Sequence, residues 1–414
     1  MNKFAFVFPG LGAQFVGMGK AISEEFDIAR NTYEEANDVL GFDLASLCFS
    51  GKLMELSKTV NASTAILTNS VALYRVFMQE IGINPQFVAG HSLGEYSAFT
   101  CSGAWSFADA LRIVKRRSEL AEKLASCGEY GMTLIDMCEK QSIIDECKAL
   151  SNDVKKATVS CFNTSRQIAV SGNIEVVNAV EDFAIEKGWQ FSPFASGIPF
   201  HSTAMSVMAE DYQEVVDSYA LKNLRYPVLL NVTGEPSKDI KDMKKECIAQ
   251  LLNPVRWEDS IKYMNSRGVM TYIELGPKPM LVNLIHDIIG TDCEAICYSN
   301  KSSRKELKDM VNNDPRLLKQ RNNFIGKCLA AAVATPNLSD NDADYETDVV
   351  TPYRELVKLN EIIGKEKRVP DVQEKKRAIS LLQTIFANKN VDENEQSDWL
   401  DEIYEETGSI YEMM

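Results

Sequence analysis

The sequence predicts an α/β protein with a small inserted domain and a helical C-terminal extension. In the N-terminal part, short apolar segments such as FAFVFPG alternate with amphipathic helical patterns such as NSVALYRVFMQEIG, which is typical of a parallel sheet covered by helices. Residues 129–196 break this alternation, and residues 299–414 contain only helical patterns. We therefore expect one large domain built from residues 1–128 and 197–298, with a small domain inserted into it and a helical region appended.

The inserted region, residues 129–196, contains four predicted strands and two predicted helices. In chain order these are the strand MTLIDM, the helix QSIIDECKALS, the strands ATVSCFN and QIAVSG, the helix IEVVNAVEDFAIEKG and the strand WQFSPF. The second helix ends at Gly188, a residue type that commonly terminates helices. The order β-α-β-β-α-β is that of the split, ferredoxin-like unit.

The α/β pattern resumes after the insert and then gives way to helices. The later strands and helix of the large domain are YPVLLNVTG, MTYIELG and MLVNLIHDIIG. The predicted helices of the extension are KSSRKELKDM, LLKQRNNFIGKCLAAAVA, YRELVKLNEIIG and QEKKRAISLLQTIFANK, interrupted by the acidic stretch NLSDNDADYETD. Beyond Lys389 the chain has no Lys or Arg and many carboxylates, which predicts a frayed acidic tail.

Composition excludes several classes of function. The chain has 414 residues, 45% hydrophobic and 25% charged, with a formal net charge of −15. The acidic balance argues against nucleic acid or an anionic membrane surface as the main partner. Ten cysteines occur without C-x-x-C pairs, so we expect the reducing cytoplasm and no metal site. The apolar run at the N-terminus is too short for a secretory signal, and no stretch approaches a transmembrane span.

The segment VAGHSLGEYSAF raises the first question of chemistry. Ser92 lies between two glycines, directly after the apolar run 87–89 and directly before a helical pattern. A serine nucleophile on a sharp strand-to-helix turn has this context, and the helix N-terminus would offer N–H groups to an oxyanion. A glycine-rich turn that merely contains a serine is the alternative. A serine nucleophile needs a base, and the only histidines are His91, His201 and His286.

Six motifs in order resemble one family. They are FVFPGLGAQFVGMG, GHSLGEYSA, LRIVKRR, SGIPFHSTAM, QLLNPVRW and IELGPKPML, spread over residues 1–298. Together they resemble the malonyl-CoA:acyl-carrier-protein transacylases, which include the acyltransferase domains of polyketide synthases. The resemblance implies an α/β-hydrolase-like large domain with a ferredoxin-like insert. It also implies malonyl-CoA as the donor substrate, an acyl carrier protein as the partner, and no bound cofactor.

The resemblance assigns the catalytic groups. Ser92 would attack the thioester of malonyl-CoA, and the phosphopantetheine thiol of a carrier protein would then take the acyl group from the serine ester. His201, in the motif PFHS, would be the base, oriented by the main-chain carbonyl of Gln250; a packed or surface histidine is the alternative. The main-chain N–H groups of Leu11 and Leu93 would form the oxyanion hole.

Four further residues are candidates for substrate binding. Arg117 matches the arginine with which the family holds the malonyl carboxylate, unless the KRR segment is only a solvated basic helix face. A phenylalanine at the position of Phe200 is similar to what malonyl-selective members of the family have. Its ring would crowd the α-methyl branch of a methylmalonyl group. His91 would either line the substrate pocket or have a structural role. Asn163 matches a family asparagine near the cleft, and a turn residue between strands is an equal alternative.

The sequence also departs from the family pattern. Leu11 replaces a glutamine, Ser63 replaces another, Ser118 replaces a glycine, and Ala121 stands where methionine is common. A main-chain oxyanion donor survives the change at Leu11. Because the nucleophile, base and arginine are retained while polar groups near the pocket are lost, the departures bear on acyl specificity and rate more than on reaction class.

The extension and the reaction leave alternatives open. FIGKCLAAAVATPN followed by VVTPYREL resembles the C-terminal extension of stand-alone acyltransferases that serve polyketide synthases in trans. A helical addition for stability or oligomerisation is the second interpretation. Docking of an acidic carrier protein is the third, with the cations Lys115, Arg116, Arg304, Lys305 and Lys308 as candidates. The alternative functions are an acyl hydrolase that clears carrier proteins, which would need no arginine, and an inactive carrier-binding scaffold.

Overall fold

A computed structural model describes residues 3–237, 239–315, 317, 323–339, 345–366 and 368–407. The chain divides into two compact units. The first comprises residues 1–74 and 85–303, and the second comprises residues 75–84 and 304–414. The boundary after residue 303 lies close to the predicted one after 298. Residues 129–196 group with the rest of the first unit, so the boundaries of the insert stay a prediction.

The strands and helices confirm the predicted α/β class. The described strands are β1 (Lys3–Phe8), β2 (Phe87–Gly90), β3 (Tyr130–Asp136), β4 (Ala157–Phe162), β5 (Ile168–Asn173), β6 (Gln190–Pro193), β7 (Val228–Leu229), β8 (Pro236–Ser237), β9 (Val269–Glu274) and β10 (Glu294–Cys297). The described α-helices are α1 (Lys20–Glu25), α2 (Asp27–Leu40), α3 (Leu44–Ser50), α4 (Leu53–Leu56), α5 (Thr59–Glu80), α6 (Gly94–Cys101), α7 (Phe107–Ala125), α8 (Lys140–Leu150), α9 (Ile174–Glu186), α10 (Ala209–Asp217), α11 (Ile240–Leu252), α12 (Trp257–Ser266), α13 (Leu281–Ile289), α14 (Lys301–Asn313), α15 (Phe324–Ala334), α16 (Thr351–Glu366), α17 (Val372–Asn388) and α18 (Glu393–Thr407).

A six-stranded sheet forms the centre of the first unit. Its order is β10-β9-β1-β2-β7-β8, and every neighbouring pair is parallel except β7 with β8. The apolar runs of β1 and β2 are buried along almost their full length, as expected for parallel strands covered by helices on both faces. Phe8 pairs with Gly90 at the carboxyl ends of these strands, so the loops that follow β1 and β2 emerge side by side.

A second, four-stranded antiparallel sheet has the order β4-β5-β3-β6. Helices α8 and α9 pack on it over a core that includes Ile135, Ile143, Val170 and Val177. Within residues 129–196 the elements follow each other as β-α-β-β-α-β. A parallel bridge between Cys161 and Val255 joins this sheet to the segment before α12.

The second unit is helical. Helices α15 to α18 share one core, whose buried members include Phe324, Leu356, Leu382 and Ile403. Lys389 donates hydrogen bonds from Nζ to the carbonyl oxygens of Ala332 and Thr335, at 2.7 and 2.8 Å, and so satisfies the end of α15. Of the acidic stretch NLSDNDADYETD, residues 340–344 lie outside the described part, and a π-helical turn (Glu346–Val350) follows.

The prediction of a frayed acidic tail is wrong for residues 393–407. These residues form α18, and its apolar side chains pack against the core of the second unit: Trp399, Leu400, Ile403 and Tyr404. Their spacing places them on one face of a helix, whereas the carboxylates occupy the other positions. No helix within the described ranges is both long and apolar enough to span a bilayer.

Candidate active site

Ser92 occupies the turn between β2 and α6. Its φ is 53°, a left-handed conformation that is uncommon for residues other than glycine. The flanking glycines permit close packing. A Cβ on Gly90 would lie 2.0 Å from the carbonyl of Gly94, and a Cβ on Gly94 would lie 2.0 Å from the carbonyl oxygen of Phe8. The pattern G-x-S-x-G therefore has a steric basis in this fold.

His201 lies beside Ser92. Its Nε2 is 2.6 Å from Ser92 Oγ, and its Nδ1–H donates to the main-chain oxygen of Gln250 at 2.7 Å. Because Nδ1 carries the proton in this arrangement, Nε2 is left as the acceptor that faces the hydroxyl. Burial, reinforced by the positive charge of Arg117, lowers the pKa of His201 to about 3. The imidazole is therefore neutral at physiological pH and can accept the proton of Ser92.

Two amide side chains hold the main chain of Ser92. The Ser92 N–H donates to Asn231 Oδ1 at 2.9 Å, and Gln250 Nε2 donates to the Ser92 carbonyl at 3.0 Å. Asn231 Nδ2 also donates to the carbonyl of Gly90 at 2.7 Å. The sequence motifs predict no role for Asn231 and only a main-chain role for Gln250. The one available signal for Asn231 was its position directly after the strand segment YPVLL.

Arg117, on α7, is buried beside this group and only 1% exposed. Its Nη2 donates to Gln250 Oε1 at 3.1 Å, and its guanidinium carbon lies 4.6 Å from the ring centroid of Phe200 and 5.3 Å from that of Tyr96. Its Nε has no hydrogen-bond partner, and no carboxylate in the described part of the chain pairs with it. A buried cation without a protein anion is suited to bind an anionic substrate.

His91 and Asn163 contact each other at the edge of the site. His91 Nε2 lies 2.7 Å from Asn163 Oδ1, and Asn163 Nδ2 donates to Gln167 Oε1 at 3.0 Å. The ring of His91 packs edge-to-face on Trp257, with centroids 5.6 Å apart. Because Nε2 of His91 is hydrogen-bonded to Asn163, which directly follows β4, His91 links the nucleophile turn to the four-stranded sheet.

The loop after β1 approaches the nucleophile turn closely. A Cβ on Gly10 would lie 2.6 Å from the carbonyl oxygen of His91 and 3.6 Å from the main-chain nitrogen of Leu93. Gly12 N–H is bound by Gln14 Oε1 at 2.8 Å. Among the described residues, no acceptor binds the N–H of Leu11 or Leu93, so both predicted oxyanion donors are available.

Two of the residues that depart from the family pattern, Ser63 and Ser118, contact each other. Ser118 Oγ donates to Ser63 Oγ at 3.0 Å, and both residues are fully buried, on α7 and α5. Ala121 is buried one turn further along α7. The two hydroxyls satisfy each other, so the loss of the family's glutamine leaves no orphaned polar group at this point.

The predicted docking cations differ in availability. Arg116 pairs with Glu119 at 3.1 Å, and Lys308 pairs with Glu80 at 2.6 Å. Arg304 is only 8% exposed, so it does not fit the docking role, whereas Lys305 is exposed and Lys115 is half-buried. Within the described ranges, no cluster of three or more His, Cys, Asp or Glu side chains is placed to hold a metal ion.

Comparisons with known proteins identify the family. The family model for the acyl transferase domain matches residues 5–316. A malonyl CoA-acyl carrier protein transacylase of Bacillus subtilis is 33% identical over 398 residues, which cover 96% of this chain and 99% of the relative. A second protein of that name, from B. subtilis strain 168, is 39% identical over 292 residues, covering 70% and 91%.

A solved structure of a malonyl-transacylase is also similar to this chain over most of its length. The malonyl-transacylase in complex with a type II PKS acyl-carrier protein has a TM-score of 0.72 and 31% identity, and the match covers 75% of this chain and 100% of that chain. The chain thus has the mixed α/β fold of a solved malonyl-transacylase. The chain is an enzyme of the acyl transferase domain family.

Proposed function

We propose that the protein moves a malonyl group from malonyl-CoA to the phosphopantetheine thiol of an acyl carrier protein, through an ester on Ser92. The buried guanidinium of Arg117 carries this proposal, because it lacks a protein anion and shares Gln250 with the Ser92–His201 pair. A malonyl group ends in a carboxylate, which a guanidinium can bind through two parallel hydrogen bonds. The names of the two Bacillus subtilis relatives support the same donor and acceptor.

The first half-reaction loads the enzyme. His201 Nε2 takes the proton of Ser92 Oγ as the oxygen attacks the thioester carbonyl, and the negative charge passes to the carbonyl oxygen. The N–H groups of Leu11 and Leu93 would bind that oxyanion, and a single such donor is commonly worth about 100- to 1000-fold in kcat. The C–S bond then breaks, and His201 returns the proton to the departing CoA sulfur.

The second half-reaction transfers the malonyl group from the enzyme to the carrier protein. The thiol of the carrier's phosphopantetheine arm gives its proton to His201 Nε2, and its sulfur attacks the Ser92 ester. When the ester C–O bond breaks, the proton returns to Ser92 Oγ and the malonyl thioester leaves on the carrier. The two thiols use one site in turn, so the reaction follows ping-pong order.

Phe200 supports a preference for malonyl over branched donors. Its ring covers the Arg117 guanidinium at 4.6 Å, so an α-methyl group on a bound malonyl unit would meet the ring. One steric contact of this kind is worth about 1–3 kcal/mol. We expect discrimination against methylmalonyl-CoA at that level. His91 and Asn163 would line the same site.

We further propose that the carrier belongs to a polyketide synthase, served in trans, and that the reaction takes place in the cytoplasm. The match to the Bacillus subtilis relative that is 33% identical spans 96% of this chain. That relative therefore shares most of the region beyond residue 303. The solved transacylase relative has a type II PKS acyl-carrier protein as its partner. None of the ten cysteines, all of which lie in the described part of the chain, forms a disulfide, in keeping with a reducing compartment.

Incubation with single donors tests the proposal. The protein is mixed separately with malonyl-, methylmalonyl- and acetyl-CoA, and its intact mass is recorded. The proposal predicts a malonyl adduct on Ser92 that Ser92→Ala lacks, with weaker loading from the other two donors. Absence of an adduct from every donor would overturn it, and release of free malonate without a carrier would favour the hydrolase. Polyketide and fatty-acid carrier proteins are then offered in parallel, and faster transfer to the fatty-acid carrier would contradict the polyketide assignment.

A further inference from the structure

We propose that Glu95 is a positioning residue for acyl transfer, because its buried carboxyl holds the two residues that fix the main chain of Ser92. The inference rests on the proposed function for the reaction, but its contacts belong to the nucleophile turn itself. Glu95 lies on α6, three positions after Ser92, and is 1% exposed. Nothing in the sequence pattern distinguishes it from an ordinary acidic residue in the first turn of a helix.

The carboxyl of Glu95 accepts one hydrogen bond on each oxygen. The main-chain N–H of Asn231 donates to Oε1 at 2.7 Å, and Gln250 Nε2 donates to Oε2 at 2.6 Å. Asn231 Oδ1 in turn binds the N–H of Ser92, and Gln250 Nε2 binds its carbonyl. Both main-chain groups of the nucleophile are therefore held by residues that Glu95 holds.

Ser92 depends on such support. Its φ of 53° lies in the left-handed region, and a residue other than glycine persists there only when its surroundings constrain it. Without the hydrogen bonds that Asn231 and Gln250 make to its main chain, Ser92 could relax toward a right-handed or extended conformation. Such a relaxation would move Oγ away from His201 Nε2, which now lies 2.6 Å from it.

Glu95 also determines how the amide of Gln250 is turned. The Nε2 group faces the Glu95 carboxyl and the Ser92 carbonyl, both acceptors, which leaves Oε1 to accept from Arg117 at 3.1 Å. The reverse orientation would place the amide oxygen against acceptors and NH₂ against the guanidinium. One carboxyl thereby aligns the nucleophile and the arginine together.

A second carboxyl completes the arrangement. Glu246, on α11 and 4% exposed, accepts the N–H of Val232 at 2.7 Å, and its carboxyl raises the pKa of Glu95 by charge repulsion and hydrogen bonding. Two carboxyl groups can hydrogen-bond only when one carries a proton. Burial raises the pKa of both groups, that of Glu246 to about 7. The other titratable or charged groups that influence the pair or its immediate neighbours are Tyr96, Arg117, Asp242 and Cys247.

The test replaces Glu95 with glutamine, which keeps the volume and removes one acceptor. The amide of Gln at this position offers one oxygen to two donors, so Asn231 or Gln250 must lose its partner. The probe is a fluorophosphonate, which phosphonylates an activated serine without any recognition of malonyl-CoA. We expect Glu95→Gln to slow labelling of Ser92 by about 10- to 100-fold, in line with the cost of small misplacements at reacting atoms, while labelling still reaches one probe per chain.

A matched control separates positioning from general destabilisation. Glu274 is also a fully buried carboxyl, and its oxygens accept the N–H groups of Met280, Leu281 and Val282 at the start of α13. Glu274→Gln should lower the melting temperature but leave the labelling rate within about twofold of wild type. A purely structural role for Glu95 would give both variants the same result, with incomplete labelling in proportion to the unfolded fraction.

The pH profile supplies a readout that folding alone does not change. In Glu246→Gln the new amide can donate to Glu95, which then needs no shared proton. We expect the wild-type labelling rate to fall at alkaline pH, where the shared proton is lost, and the rate of Glu246→Gln to stay level. If Glu95→Gln does not fold, superimposable profiles of these two proteins would overturn the proposal.

Labelling of Glu95→Gln at the wild-type rate would also overturn it. The same variants are then loaded with malonyl-CoA. A wild-type protein that reacts with the fluorophosphonate but not with malonyl-CoA would refute the proposed function and leave the role of Glu95 to be judged by the probe. If only malonyl-CoA reacts with the wild-type protein, the rates of malonyl loading replace the labelling rates in every comparison.

Discussion

Replacing Arg117 with methionine should remove the preference for malonyl-CoA without abolishing the chemistry at Ser92. Methionine keeps much of the buried length between the rings of Phe200 and Tyr96 but carries no charge. The Ser92 Oγ–His201 Nε2 contact of 2.6 Å does not include the arginine. The change is therefore expected to act on the substrate carboxylate far more than on the nucleophile.

The magnitude follows from leaving that carboxylate buried and unpaired. Truncating one partner of a buried, hydrogen-bonded charge pair costs about 2–5 kcal/mol, which corresponds to about 30- to 5000-fold in kcat/KM for malonyl-CoA. Acetyl-CoA has no carboxylate. For that donor the variant loses the hydrogen bond from Arg117 to Gln250 and the positive charge that helps to lower the pKa of His201. Because neither effect involves the acetyl group, we expect a loss of less than about tenfold.

The assay measures kcat/KM for Ser92 acylation with malonyl-CoA and acetyl-CoA in the wild type, Arg117→Met and Arg117→Lys. Lysine retains the charge but not the planar pair of donors, so its selectivity should fall between the other two. A malonyl-to-acetyl ratio that is unchanged in Arg117→Met would refute the assignment of Arg117 to the carboxylate.

Three further predictions follow from the site. Because burial and Arg117 lower the pKa of His201 to about 3, the base stays neutral as the pH falls, and acylation should not slow as the pH is lowered from about 7 to about 5; an acid-side loss of rate with a midpoint near the ordinary histidine pKa would contradict this. Gly94→Ala should prevent stable folding, since its Cβ would lie 2.0 Å from a main-chain oxygen, whereas Gly364→Ala, in an open part of α16, should be neutral or stabilising by up to about 1 kcal/mol; thermal melts of the two variants compare them directly, and a normally folded Gly94→Ala would show that the turn can yield. Leu11→Gln should change the acylation rate by less than about tenfold, because the predicted oxyanion donor at this position is the main-chain N–H; a larger change in stopped-flow acylation would mean that the side chain itself participates.

The local features of the site could be predicted from the sequence because they depend on neighbouring residues. An apolar run, two glycines and a helical pattern are enough to predict the strand, turn and helix around Ser92. The steric demand of Gly94 against the neighbouring strand then accounts for the pattern. The partner of Ser92 could not be derived in this way, since His201 lies 109 positions away. Only the resemblance to a family connected the two.

Residues whose role depends on burial were missed. Glu95 looks like a solvated acidic residue at a helix start, and Asn231 looks like a turn residue after a strand. Both become significant only when α6, the loop after β7 and α11 meet behind Ser92. The helix α18 was missed for a related reason. Its carboxylates dominate the composition, while a few apolar side chains on one face determine its packing.

Transfer from a preloaded enzyme is the direct test of whether the acyl group passes through an ester on Ser92 to a carrier thiol. The protein is loaded with malonyl-CoA, freed of excess donor and mixed with a carrier protein that either bears or lacks the phosphopantetheine arm. We expect the malonyl group to leave Ser92 and to appear as a thioester only on the carrier with the arm. A malonyl-Ser92 ester that is stable toward both carriers, or one that is lost equally as free malonate with either, would refute transfer from Ser92 to the carrier thiol.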